Sequence, residues 1–183
     1  MEAVWVAGCS GYETTGVIHL LKGCGVSVRL FRPGERLRAG DTLILCFSSA
    51  PLLGWWRYLK ITQWVAYRYD IRLIVLCPDE VCRTDVVCGR NIVTVNGERS
   101  CIHLSLSLQQ TVQRCLPDGM PESQWDCVKS FLERASQTLR IFPVQESEDS
   151  AIRRAYQKRD LMVQRLGFVS LMRLKVFMAG HLP

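Results

Sequence analysis

Two runs in the first half of the chain, TLILCF at residues 42–47 and IRLIVLC at residues 71–77, are almost wholly apolar. A strand with one wet face alternates apolar and polar residues, whereas a run without alternation is buried on both faces. Strands of that kind lie inside a parallel sheet covered by helices, and the flanking sequence has the matching rhythm. AVWVAG at residues 3–8 predicts a first strand, Tyr12 to Lys22 a helix closing at Gly23, and Val26 to Phe31 a second strand. RPGERLRAGD is polar and turn-rich. Gly54 to Tyr69 predicts a helix, Asn91 to Val95 a fifth strand and Leu104 to Leu116 a further helix. Five βα units within residues 1–116 predict an α/β, flavodoxin-like parallel-sheet domain of receiver size.

Residues 117–122 (PDGMPE) hold two prolines and a glycine and predict a linker. Beyond it, Pro121 suits a helix start. Trp125, Val128, Phe131, Leu132 and Ala135 then repeat at helical spacing, opening an all-α unit over residues 123–183. An apolar share of 48% is enough for a real core. No apolar run reaches the length of a membrane span. The N-terminal MEAVWVAGCSG lacks the basic opening of a signal peptide, so a cytoplasmic location is expected.

Charge is concentrated near the far end. Between Ser150 and Lys175 there are seven basic residues and one acid, while the whole chain carries +6. In SAIRRAYQKRDLMVQRLG, residues 150–167, the apolar Ile152, Ala155, Met162, Val163 and Leu166 keep to one side of a helix. Arg153, Tyr156, Gln157, Asp160 and Gln164 lie on an adjoining exposed side. Such a helix suits a DNA major groove, the plainer alternative being a surface helix with a solvated basic face. Leu166-Gly167 predicts a glycine C-terminus, and Ser170 a cap on a short last helix, Leu171 to Met178.

This layout resembles the C-terminal half of a LuxR/FixJ-type helix-turn-helix domain. In that family the recognition helix ends in R/K-L-G, matched by Arg165-Leu166-Gly167, and a short helix follows. The resemblance implies base-edge contacts by Arg153, Tyr156, Gln157 and Asp160. Arg154, Lys158, Arg159, Arg173 and Lys175 are then the candidates for phosphate contacts. Two features depart from the family. The region of the second helix, ASQTLRIFPVQESED, is broken by Pro143 and carries Glu146, Glu148 and Asp149. Asp160 stands where the family has a basic or neutral residue.

A working phosphoreceiver needs an acidic pair after the first strand, an Asp after the third and a Lys after the fifth. Carboxylates bind Mg²⁺, and the metal and lysine neutralise the phosphoryl oxygens. Here the first position is Cys9-Ser10, the third strand ends Cys46-Phe47-Ser48-Ser49, and NIVTVNG offers no lysine. The combination resembles enterobacterial LuxR-type regulators with a degenerate receiver, such as the RcsA-like capsule-synthesis auxiliaries. The resemblance implies action on double-stranded DNA, as a homodimer or as a heterodimer with a response regulator.

Other motifs carry less. The loop Gly8 to Gly16 lacks the Lys-Ser/Thr of a phosphate-binding loop and the spacing of a dinucleotide fingerprint, and reads as a tight turn in which Thr14 or Thr15 starts the helix. GWWRYLKITQWVAYRY at residues 54–69 packs six aromatics into one helix, which suits either a core helix with amphipathic aromatics at its rim or a surface part of which pairs with another protomer. Nine cysteines without a C-x-x-C pair fit a reducing compartment with buried thiols. Cys77, Cys82 and Cys88 form the nearest metal-like grouping, without the two close pairs of a zinc site. His19, His103 and His181 sit in no catalytic motif. The reading is a DNA-binding transcription regulator with a non-phosphorylatable receiver-like domain, with no catalytic residues, no cofactor, no metal, no small-molecule substrate and no membrane partner. Its rivals are an interaction protein that binds a response regulator with little DNA contact, and a small α/β enzyme using the Gly8–Gly16 loop.

Overall fold

A computed structural model of the chain describes residues 3–32, 34–84, 86–87, 89, 91–113, 124–141 and 149–181. The expected sheet is present. Strands β1 (Val4–Gly8), β2 (Val28–Leu30), β3 (Thr42–Cys46), β4 (Arg72–Cys77) and β5 (Ile92–Asn96) are all parallel, in the order β2-β1-β3-β4-β5. This is the flavodoxin-like order. Ile44 of β3 lies opposite Val6 on one side and Ile74 on the other. The pleat therefore sends Val6, Ile44, Cys46, Ile74, Leu76 and Val95 to one face. Trp5, Leu43, Leu45, Leu73, Val75 and Cys77 go to the other. Every residue of β3 is buried, as its unbroken apolar run requires.

The first face is covered by α1 (Gly11–Gly23) and α4 (Cys101–Gln113) through Val17, Leu21, Leu104 and Leu108. The second face has fewer helices than five βα units imply. Among the described residues the β2–β3 connection holds no helix, and that between β4 and β5 holds only the one-turn α3 (Asp79–Cys82). Buried Asp41 organises the β2–β3 loop instead, accepting from the backbone N–H of Ala3 (3.0 Å) and Arg38 (3.0 Å) and from the Trp5 indole (3.2 Å). Helix α2 (Trp56–Arg68) starts two residues later than its sequence suggests, because Gly54 takes φ +68° and ends a turn there. Helix α4 starts three residues earlier than expected, at Cys101.

The rear helices complete this thinner face. They are α5 (Gln124–Leu139), α6 (Asp149–Arg165) and α7 (Leu171–Phe177). Phe131, Leu132, Val163, Leu166, Phe168, Leu174 and Phe177 share one apolar cluster with Trp55, Leu59, Leu73 and Val75. Phe177 lies 6.2 Å from Trp55, 5.9 Å from Phe131 and 5.2 Å from Phe168, ring centre to ring centre. Two hydrogen bonds to backbone carbonyls fix the joint: Gly54 N–H to Val176 (2.9 Å) and Trp56 Nε1–H to Ala179 (2.9 Å). Two of the six aromatics of residues 54–69, Trp55 and Trp56, are thereby explained within the chain. The expected linker at 117–122, with Pro121, lies outside the described residues, as does the side chain of Trp125.

Candidate nucleic-acid interface

At the carboxyl end of the sheet, where a receiver holds metal and phosphate, Glu13 bridges to the loop after β3 beside an open cavity of about 510 Å³ lined by Ser48, Ser49, Asp79, Glu80, Arg83 and Glu98. Ser10 caps α1, its side chain accepting from Glu13 N–H; Thr14 is buried and donates back to Ser10 and Gly11 carbonyls, so neither Thr14 nor Thr15 starts the helix. Glu13 reaches from the first turn of α1 to the loop after β3. Its two carboxylate oxygens accept the backbone N–H of Ser48 (3.0 Å) and Ser49 (3.1 Å), and both serine hydroxyls donate to it as well. A negative charge thus sits across the Gly8–Gly16 loop, unfavourable for a phosphate there. Gly8 packs so tightly that a Cβ would lie 2.6 Å from the Cys46 carbonyl oxygen. Gly97, just past β5, leaves no room for a Cβ against Ser48.

The far side of this end is acidic and internally bonded. Asn96 Nδ2 donates to Asp79 (2.6 Å), Asp79 N–H to Glu98 (3.0 Å) and Glu98 N–H to Asn96 Oδ1 (2.9 Å). Arg83 pairs with Asp79. Among the described residues no cluster of three or more His, Cys, Asp or Glu side chains is arranged to hold a metal ion. Cys77 is buried and Cys82 lies beside it, with the Cys82 thiol 3.8 Å from the Cys77 carbonyl. A hydrogen bond from Cys82, together with burial, pushes the Cys77 thiol up. Cys88 lies outside the described residues.

Helix α6 has the two-sided character its sequence predicts. Val163 and Leu166 are buried, and Ile152, Ala155 and Met162 half-buried. Arg153, Arg154, Tyr156, Gln157, Lys158, Asp160, Gln164 and Arg165 are exposed, so six of the candidate contacts share the open side of one helix. The helix ends as expected: Gly167 takes φ +85°, its N–H donates to the Gln164 carbonyl (2.9 Å), and Phe168 N–H donates to Val163 (3.2 Å). This is a Schellman closure. Gly167 also lies so close to the loop after α3 that a Cβ would sit 2.7 Å from the Arg83 carbonyl oxygen. Ser170 caps α7, accepting from Arg173 N–H at 3.3 Å.

Two candidates are placed differently from their expected role. Arg159 falls between Ala155 and Val163 on the inward stripe; it is half-buried, with its guanidinium 4.7 Å over the Tyr156 ring. The reading from charge had grouped it with outward phosphate contacts, whereas helical phase turns it inward. Arg173 on α7 pairs with Glu80 of α3 at 3.1 Å, tying the last helix to the sheet end. Lys175 is exposed. A second helix just before α6 is not seen among the described residues: α5 runs through residues 135–139, and residues 142–148, with Pro143, Glu146 and Glu148, lie outside them. The side chain of Asp149 is likewise outside them. Sequence reasoning missed Glu13 and Glu80, whose partners are distant in the chain; the S-x-x-E spacing from Ser10 was the one available signal for Glu13.

No protein-family model and no curated protein matches this chain. Among solved structures, that of two RcsB dimers bound to two parallel DNAs matches with a TM-score of 0.52 and 14% identity, over 97% of this chain and 98% of that one. The regulatory domain of the master biofilm regulator CsgD matches with a TM-score of 0.46 and 17% identity, over 62% of this chain and 88% of that domain. The response regulator StyR matches at 15% identity with a TM-score of 0.32, over 94% of this chain and 96% of that one. The likeness to RcsB is one of fold, and it extends over the receiver-like sheet and the rear helices together. No helix among the described residues is long and apolar enough to cross a membrane.

Proposed function

We propose that this chain is a DNA-binding transcription regulator of the LuxR type, related to the RcsA-like auxiliaries, whose receiver-like half works without phosphorylation. The observation that carries the reading is the open side of α6, where Arg153, Tyr156, Gln157 and Asp160 stand exposed beside Arg154 and Lys158 while the opposite stripe is packed. Arg and Gln are the side chains that read guanine and adenine edges bidentately, and flanking cations meet phosphates. The solved RcsB assembly is of dimers on DNA, which supports the same partner and a dimeric state for a chain of the same fold. Arg159 then positions Tyr156, and Lys175 adds a phosphate contact from α7. Glu13 bonded to Ser48 and Ser49, at a sheet end that lacks a receiver's acidic pair and lysine, supports a front half that braces the reader and is not switched.

The test is binding of the full-length chain to a selected promoter fragment and to random duplex across a salt series. Arg154→Ala should weaken both duplexes alike, by roughly 3- to 10-fold, and flatten the salt slope by about one ion. Gln157→Ala should instead change the preferred sequence. Equal effects of the two variants on specific and random DNA would reject the division of roles, and no binding at low salt would reject the reading.

One observation favours a second reading. Trp64 (56% exposed) and Tyr67 (78%) stand out from α2 beyond the joint that buries Trp55 and Trp56. Exposed aromatics of this kind suit a protein partner, here a response regulator bound with little DNA contact. Sedimentation of the Trp64→Ala variant with such a regulator, alongside the salt series, separates the two.

A further inference from the structure

Between helices α2 and α5 lies an open cavity of about 520 Å³. Its wall is apolar, formed on the α5 side by Val128 and Leu132, both part of the main core. Its rim is cationic: Lys60 from α2, Lys129 from the first half of α5 and Arg140 just past its end, with His181 beside them, against one acid of the lining, Glu133. All three cations are exposed, and none forms a salt bridge among the described residues. Lys60 rests with its ammonium 4.7 Å over the Trp56 ring, which holds it at the mouth.

We infer that this cavity binds a small organic anion, a carboxylate or phosphate monoester with an apolar body about the size of a phenylalkyl group. Three features converge on that class. The volume falls inside the range of about 300–1,000 Å³ typical of ligand sites, and such sites favour the junction of two packed units. The apolar wall offers burial for a hydrocarbon body. Three cations beside one carboxylate favour an anionic head and oppose a cationic one, and the effect strengthens where one side of the ion faces protein instead of water. The occupant touches α2 and α5 together, so it stabilises the docked arrangement of the rear helices on the sheet. A ligand there gives the chain an input other than phosphorylation. This inference rests on the fold and the joint, and stands or falls independently of DNA binding.

The experiment is a titration of full-length protein with methyl-labelled Val and Leu, followed by NMR. The probes are 4-phenylbutyrate and phenyl phosphate, with 4-phenylbutyramide and 4-phenylbutylamine as neutral and cationic counterparts. Saturable shifts at the Val128 and Leu132 methyls are expected with at least one anion, about 10-fold weaker with the amide and absent with the amine. The charge-reversing surface variants Lys60→Glu and Arg140→Glu, each with an unchanged circular dichroism spectrum, should each weaken the anion about 10-fold. Equal affinity for anion and amide, insensitivity to both reversals, or no saturable shift from either anion up to about 10 mM would overturn the assignment. So would shifts that track protein concentration and not added anion, which would give the cavity to a second copy of the chain.

Discussion

Trp56 donates its indole N–H to the backbone carbonyl of Ala179 at 2.9 Å, across 123 residues of sequence. The bond joins the start of α2, which covers the sheet, to the end of α7, which follows the candidate reading helix. Beside it Trp55 and Phe177 stack, and both are fully buried. The front sheet and the rear helices therefore share one hydrophobic core. Phe177→Ala should destabilise the whole chain by about 3–5 kcal/mol, because it leaves a cavity in that shared cluster. Trp56→Phe, which keeps most of the apolar area and loses the bond, should cost about 1 kcal/mol. In urea, tryptophan fluorescence and far-UV circular dichroism should report one coincident transition for the full chain. Two separated transitions would show that the halves fold independently.

The Glu13 carboxylate holds the loop after β3 through backbone N–H groups as well as hydroxyls. Glu13→Gln keeps the shape and removes the charge, so about 1–3 kcal/mol of stability should be lost. Acetyl phosphate with Mg²⁺ should change neither the mass of the wild-type chain nor its proposed binding to DNA. A phosphoprotein in the mass spectrum would contradict the reading of this end as non-phosphorylatable.

Buried Asp41 gives a pH signature. Burial pushes its carboxyl up, but the N–H groups of Arg38 and Ala3, the Trp5 indole and the Arg38 charge together hold it below the usual carboxylate range. A lowered carboxylate pKa contributes stability that is fully present above the ordinary value, about 3.9. That contribution is lost as pH falls through the lower, folded-state value. The urea midpoint of the wild type should therefore fall on acidification below about pH 4. Asp41→Asn should be less stable at neutral pH by about 2 kcal/mol and lose this part of the acid slope. Parallel slopes for the two proteins would show that other groups govern the acid range.

Gly167→Ala tests the seat of α6, the proposed reading helix. Alanine there must adopt φ near +85° and approach Arg83 and Thr84 backbone atoms within 2.7–2.8 Å. A loss of roughly 1–3 kcal/mol is expected from strain and overpacking together. Because this contact sets how α6 meets the loop after α3, the proposed DNA affinity should fall even where thermal denaturation shows the fold retained. An alanine variant with wild-type stability would mean that the loop after α3 yields freely.

The sequence by itself determined the elements that depend on neighbours in the chain. The two unbroken apolar runs that became Thr42–Cys46 and Arg72–Cys77 read as doubly buried strands, and five strands at this spacing predict the flavodoxin-like sheet. The Leu166-Gly167 stop and the Ser170 cap were legible because capping is local hydrogen bonding within a few residues. So was the outward side of α6, since a period of 3.6 sorts faces without knowledge of what they meet. Only the tertiary structure decided the rest. Arg173 could be counted as a cation from its letter, but its pairing with Glu80 depends on where α7 docks. Trp55 and Trp56 could be read as crowded aromatics, yet which were core and which were surface was settled by Phe177 and Ala179, more than a hundred residues away. The thin cover on one sheet face is visible only once the β2–β3 and β4–β5 connections are placed in space. Burial there is a property of the distant segments that close over the face, and no local pattern of residues encodes which segments those are.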